Sequence, residues 1–94
     1  MKYISNAGYG KPVETGTIYR GENGKLNICV HKIHGCGDGL YMNCLTLGIT
    51  DRKLNSTSVM AAINEAQSLV KRELDLLNKE LNAILNSEIE ISRY

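Results

Sequence analysis

The sequence predicts an α+β domain, a small antiparallel sheet of three to four strands followed by a long C-terminal helix or helix pair, with a possible C-terminal edge strand. Three observations predict it. Apolar and polar residues alternate with period two through much of residues 17–50, glycine-rich links divide that stretch, and from Ser58 to about Leu85 the apolar period becomes three to four. With 94 residues there is material for one domain (residues 1–94), which buries roughly 60–65 % of the unfolded chain's surface.

Residues 1–16 read as an N-terminal loop, because Ser5–Gly16 mixes three glycines with the only proline and carries no apolar period. Three strand-like stretches follow, Thr17–Arg20, Lys25–Ile33 and Leu40–Ile49, separated by Gly21-Glu22-Asn23-Gly24 and by Gly35-Cys36-Gly37-Asp38-Gly39. Leu26, Ile28 and Val30 share one face of the second stretch, and Leu40, Met42, Cys44 and Thr46 share one of the third. Tyr41, Asn43, Leu45, Leu47 and Ile49 lie opposite. Both faces are partly apolar, so a helix is expected on one side and something else on the other.

The helical region, residues 57–86, carries the stripe Val59, Ile63, Ala66, Val70, Leu74, Leu77, Leu81 and Ile84, with Ser56, Thr57 or Ser58 as N-cap. Such a helix spans roughly 40 Å, longer than the roughly 20–30 Å of sheet it can cover. Part of it is therefore expected to pack on a second chain, unless it breaks near Asn78. Residues 88–94 alternate apolar and polar and are expected to form an edge strand.

Apolar residues make up 43 % and charged residues 22 %, an ordinary globular balance. Without Phe or Trp, the aromatic surface is Tyr3, Tyr9, Tyr19, Tyr41 and Tyr94. A net charge of +1 argues against gripping duplex DNA by broad phosphate neutralisation. The charge is uneven: residues 1–53 hold seven Lys and Arg against four Asp and Glu, and residues 54–94 hold four against six. A small anionic ligand is thus expected on the first half. The longest apolar run, Val59–Ile63, is far short of a membrane span, and no secretory signal is evident. Three cysteines without such a signal suggest reduced thiols and a cytoplasmic protein.

Cys29, His31, His34, Cys36 and Cys44 are zinc-ligand types, but all would have to converge from one strand and its adjoining turn, so no metal is expected. A Cys-His nucleophile lacks an identifiable orienting acid and oxyanion hole. Gly35, Gly37 and Gly39 resemble a phosphate cradle, although the loop opens a strand rather than a helix and matches neither the dinucleotide nor the P-loop fingerprint. Any one of Arg20, Lys32, Arg52 and Lys53 is by default a solvated charge. Together with Tyr41, Asn27 and Asn43 they supply what a nucleotide needs: cations for phosphate, a ring for the base and amides for its edge.

The run from Lys32 to Cys44, with its pattern K-I-x-G-x-G-D-x-x-Y-x-x-C, continued by Leu47-Gly48-Ile49, Leu54 and the Ala-rich helix start, resembles the phage Thoeris anti-defence proteins of the first described type. The resemblance implies a sponge, a homodimer or larger homo-oligomer that binds a cyclic ADP-ribose isomer made by a host immune enzyme and holds it without cutting it. The aromatic associated with the position before Tyr41 is Leu40 here.

The expected function is accordingly sequestration of a cyclic nucleotide signal in the host cytoplasm, with no cofactor, no catalytic residue, and neither nucleic-acid polymer nor membrane as partner. Arg20, Lys32 or Arg52 is expected to pair with the phosphates, with Tyr41 the stacking ring, Asn43 the edge reader, and Gly35, Gly37 and Asp38 in the loop that contacts pyrophosphate or ribose. Two alternatives remain: a protein-binding inhibitor of a host defence enzyme, and an enzyme that hydrolyses the signal with His31 or His34.

Overall fold

The computed structural model describes residues 1–35 and 37–92. Five antiparallel strands lie in chain order across one sheet: β1 (Tyr3–Ser5), β2 (Ile18–Asn23), β3 (Leu26–Lys32), β4 (Leu40–Cys44) and β5 (Ile49–Lys53). One helix follows, α1 (Val59–Leu85). The α+β architecture is as expected, with more strands. Among the described residues no helix is long and apolar enough to cross a membrane.

The core lies between one sheet face and the first half of α1. Tyr19, Ile28, Val30, Leu40, Met42 and Cys44 point from the strands toward Ala62, Ile63, Ala66, Leu69 and Val70, and all are buried. Alternation decides this: each strand sends every second side chain inward, and the three-to-four spacing on α1 presents a matching stripe. Ala62 and Ala66 are fully covered, and their small side chains allow close approach of helix to sheet. Ser58 caps the helix, its Oγ accepting from Ala61 N at 3.3 Å.

The entry to α1 is held by Glu65. Its carboxylate accepts from Asn55 N at 3.0 and 2.9 Å, and from Ser56 N at 2.8 Å and Ser56 Oγ at 2.7 Å. These bonds, led by that from Asn55, hold the Glu65 carboxyl below the usual carboxylate range.

The N-terminal stretch is not loop throughout. β1 pairs with β2 in the register Tyr3↔Gly21, Ile4↔Arg20, Ser5↔Tyr19. A Cβ on Gly21 would come 2.7 Å from the Tyr3 ring, and one on Gly16 would collide with Ser5 Oγ, so both glycines make room for β1. Asn6 Oδ1 then accepts from Thr17 N at 2.8 Å and Ile18 N at 3.0 Å, tying the rest of the stretch to the sheet. Gly21 therefore belongs to β2 rather than to the turn, which falls at Gly24-Lys25, between the paired residues Asn23 and Leu26.

The expected third strand, 40–49, divides in two. Leu45–Leu47 form a short 3-10 turn, Gly48 takes φ +68, and the chain reverses into β5, so the sheet runs to Lys53. α1 continues past Asn78 unbroken. Residues 88–92 form no strand, and the rest of the expected tail strand lies outside the described residues.

Two stability experiments test these contacts. Glu65→Gln should cost about 1–2 kcal/mol at neutral pH, because backbone donors lose a charged acceptor. A carboxyl whose pKa is depressed on folding stabilises above its unfolded value, near 4.5, and less as pH falls through the folded one. Urea titrations should therefore show the gap between wild type and variant closing at acid pH. Gly21→Ala should lower stability by about 1–3 kcal/mol through overpacking against Tyr3, read in the same titration.

Candidate functional site

The face of the sheet away from α1 carries the polar chemistry. Successive registers place Ile4, Arg20, Cys29 and Asn43 in one cross-strand row, and Ile18, His31, Tyr41 and Lys53 in the next. Directly opposed residues share a face, so these eight look outward together.

Arg20 sits between two hollows. One, of about 500 Å³, is walled by Lys2, Ile4, Asn6 and Ile18, and the other, of about 300 Å³, by Asn27, Cys29, Asn43 and Leu45, with Arg20 lining both. The first is largely aliphatic. The second brings two side-chain amides to the same guanidinium. Burial pushes the Cys29 thiol up, against the opposing pull and hydrogen bond of Arg20. At neutral pH Cys29 is a neutral thiol rather than a nucleophilic thiolate.

Asn43 is fixed by β5. Its Oδ1 accepts from Asp51 N at 2.6 Å, which leaves the Asn43 Nδ2 hydrogens to donate to a ligand. Asp51 is the one non-glycine among the described residues with positive φ, +48, and it follows a register irregularity between Met42 and Cys44. Its Oδ1 lies 3.2 Å from His31 Nε2, within ion-pair range but off the hydrogen-bonding direction, so the buried Nε2 has no hydrogen-bond partner. The His31 ring stands 6.2 Å from that of Tyr41 at 31°. Gly39 closes the other end of Tyr41: a Cβ there would meet Tyr41 Cε2 at 3.7 Å and Lys53 Cε at 3.8 Å.

The sequence-predicted residues divide between two faces. Arg20, Tyr41 and Asn43 share the outer face. Lys32 pairs with Leu40 and Arg52 with Met42, in rows whose neighbours point to the core. Arg52 lines a groove beside α1 with Leu47, Ile49 and Leu77. Strand parity therefore sets Lys32 and Arg52 on the opposite face from Arg20 and Tyr41, so the three expected cations do not converge on one face. Gly35, Gly37 and Asp38 are exposed in the β3–β4 link, with φ +83 and +75 at the two glycines, beyond the end of the sheet.

The zinc-type residues separate likewise. Cys44 is buried against α1 and Cys29 lies on the outer face, while Cys36 lies outside the described residues. Among the described residues no three His, Cys, Asp or Glu groups come together as metal ligands. Ile4 and Asp51 join the site without a sequence signal, since β1 and β5, the strands that carry them, are not among the expected ones; Ile18, on the expected Thr17–Arg20 strand, and Lys53, among the expected cations, complete the two rows.

Backbone strain at Asp51 offers a test. Asp51→Gly removes the left-handed penalty and a partly exposed contact with His31, so stability should rise by up to about 1 kcal/mol, whereas Asp51→Val should lose about 1–2 kcal/mol. Thermal melts of the two variants against wild type decide it; a marked loss for the glycine variant would mean that the His31 contact outweighs the strain.

Comparison of the chain with protein-family models, with curated proteins and with solved structures finds no match. The functional reading rests on the outer sheet face itself.

Proposed function

We propose that this chain is a binding protein that sequesters a cyclic nucleotide signal, of the cyclic ADP-ribose isomer class, on the outer face of its sheet without cleaving it. The observation that carries the reading is Arg20, a cation between an aliphatic hollow and an amide-lined one, with Tyr41 two strands away. Two strand spacings and a two-residue offset along the strand set Arg20 and Tyr41 roughly 12 Å apart, a separation suited to a phosphate at one and a base at the other. Arg20 pairs with phosphate oxygens through its guanidinium fork, Asn43 and Asn27 donate to the polar edge of the ligand, and Ile4 and Ile18 cover its apolar surface. Lys53, beside Tyr41, adds a second cation on the same face.

Holding rather than cutting is favoured by the chemistry of the groups. The Cys29 thiol is kept protonated. Asp51 approaches His31 Nε2 off the hydrogen-bonding direction, poor geometry for orienting a general base.

The test is a thermal-shift series against ADP-ribose, cyclic ADP-ribose isomers and cyclic di- and trinucleotides. A ligand at one hundred times its dissociation constant should add about 2.7 kcal/mol to stability and several degrees to the midpoint. The bound molecule should be recovered chemically unchanged after heat denaturation. Arg20→Ala should weaken binding at least tenfold, and Arg52→Ala should leave it unchanged. Conversion of the ligand would point to an enzyme, and no shift with any nucleotide would point to a protein-binding inhibitor.

A further inference from the structure

Where β5 hands over to α1, three bases gather around one hollow of about 340 Å³. Arg52 and Lys53 reach it from the end of β5, Asn55 from the connection, and Ser68 and Arg72 from α1. Ser68 and Arg72 are four residues apart, so they share a face of the helix. Among the described residues the only charged pair within 4.0 Å is His31 with Asp51, so the three bases converge without an acid partner. Like charges around one concavity repel, and an anion held between them relieves the repulsion.

The hollow's one carboxylate does not fill that role. Glu65 lines it, but its oxygens accept from Asn55 N, Ser56 N and Ser56 Oγ. Those bonds keep the carboxylate ionised and pin Asn55 in the wall. Other acids nearby are engaged elsewhere: Asp51 faces His31, Glu73 lines the groove beside Leu77, and Asp75 lines a separate hollow along α1.

Three bases and one acid leave the hollow a net charge of +2. A phosphate monoester matches it, carrying about −1.5 to −2 near neutral pH and three acceptor oxygens. Two guanidinium forks can each take a pair of those oxygens, Lys53 adds a point charge, and the Ser68 hydroxyl and Asn55 amide add neutral donors. A carboxylate or a phosphate diester brings a single charge. At about 30 Å³ per water, the space also admits a body the size of a sugar beside the phosphate.

We propose that this hollow is a second binding site, selective for a phosphomonoester dianion, either free phosphate or the phosphate of a small sugar-sized molecule. It does not depend on the reading of the outer face, because Arg20, Tyr41 and Asn43 do not line it. Its ligand also differs in kind, since the phosphates of a cyclic nucleotide are bridged on both sides.

The test is an NMR titration of the intact ¹⁵N-labelled chain at fixed ionic strength with ribose 5-phosphate, inorganic phosphate and dimethyl phosphate, following the arginine Nε–H signals and the Asn55 and Ser68 amides. Both monoester-type dianions should move the Arg52 and Arg72 signals, and the dimethyl phosphate monoanion should bind at least tenfold more weakly. Tighter binding of ribose 5-phosphate than of inorganic phosphate assigns the site to an organic monoester, and equal binding assigns it to phosphate itself. Between about pH 7.5 and pH 5 the affinity for ribose 5-phosphate should fall at least fivefold, because the monoester gains a proton near pH 6. Sulfate, dianionic throughout, should hold its affinity. Arg52→Ala and Arg72→Ala should each weaken ribose 5-phosphate at least tenfold, and Lys79→Ala, a base on the same helix outside the hollow, should leave it unchanged. Equal affinity for dimethyl phosphate, a pH loss shared by sulfate, or shifts spread evenly over the arginines and indifferent to both arginine variants would each overturn the proposal.

Discussion

Everything in this fold depends on the packing of one helix half against one face of the sheet. Ala62 and Ala66 bring α1 close enough for Val30 and Met42 to be fully covered, and dispersion and burial at that seam supply most of the core. The core has no Phe or Trp to enlarge it. With a core this thin, only one face of the sheet is covered and the other meets solvent. The outer face is consequently free to collect Arg20, His31, Asn43 and Asp51, groups that would be costly under a second layer.

The outer face is polar without being arbitrary. Ordinary solvated strands would not hold a non-glycine residue at positive φ, nor a histidine whose inward nitrogen lacks a hydrogen-bond partner. The two meet across β4, His31 from β3 and Asp51 from β5, and Asn43 on β4 ties Asp51 to the row containing Arg20. The strain is tolerated because the Asp51 amide is satisfied by a side chain on β4, leaving the carboxylate free to face His31. Cross-strand registration then converts three separate local features into one surface.

Strand faces were legible in the sequence wherever alternation ran unbroken. Leu26, Ile28 and Val30, and likewise Leu40, Met42 and Cys44, fall on the covered face as their spacing requires, and α1 starts at its serine cap. The same parity puts Lys32 in phase with Val30, so its separation from Arg20 follows from strand pairing once the register is known. Arg52 is different. The 3-10 turn and Gly48 between β4 and β5 reset the phase, and no period carries across a reversal of that kind. β1 was hidden for another reason: three residues are too few to show a period, and the glycines that seat it, Gly16 and Gly21, read locally as turn formers. The candidate site was legible as a set of residue types, but its membership was decided by these two hidden strands.

The helix side and the outer side of the sheet do different work with the same strands. Met42 faces α1 while Asn43, next in the chain, holds Asp51; Arg52 lies by the groove while Lys53 flanks Tyr41. Arg52 and Lys53 are adjacent in the chain and both line a hollow beside α1, so the two surfaces meet along β5. Any coupling would have to pass through β5, whose residues alternate between the two surfaces. That strand is at the sheet's edge, held by β4 alone and carrying a strained residue at its middle, which makes it the element through which a ligand on one face could affect the other.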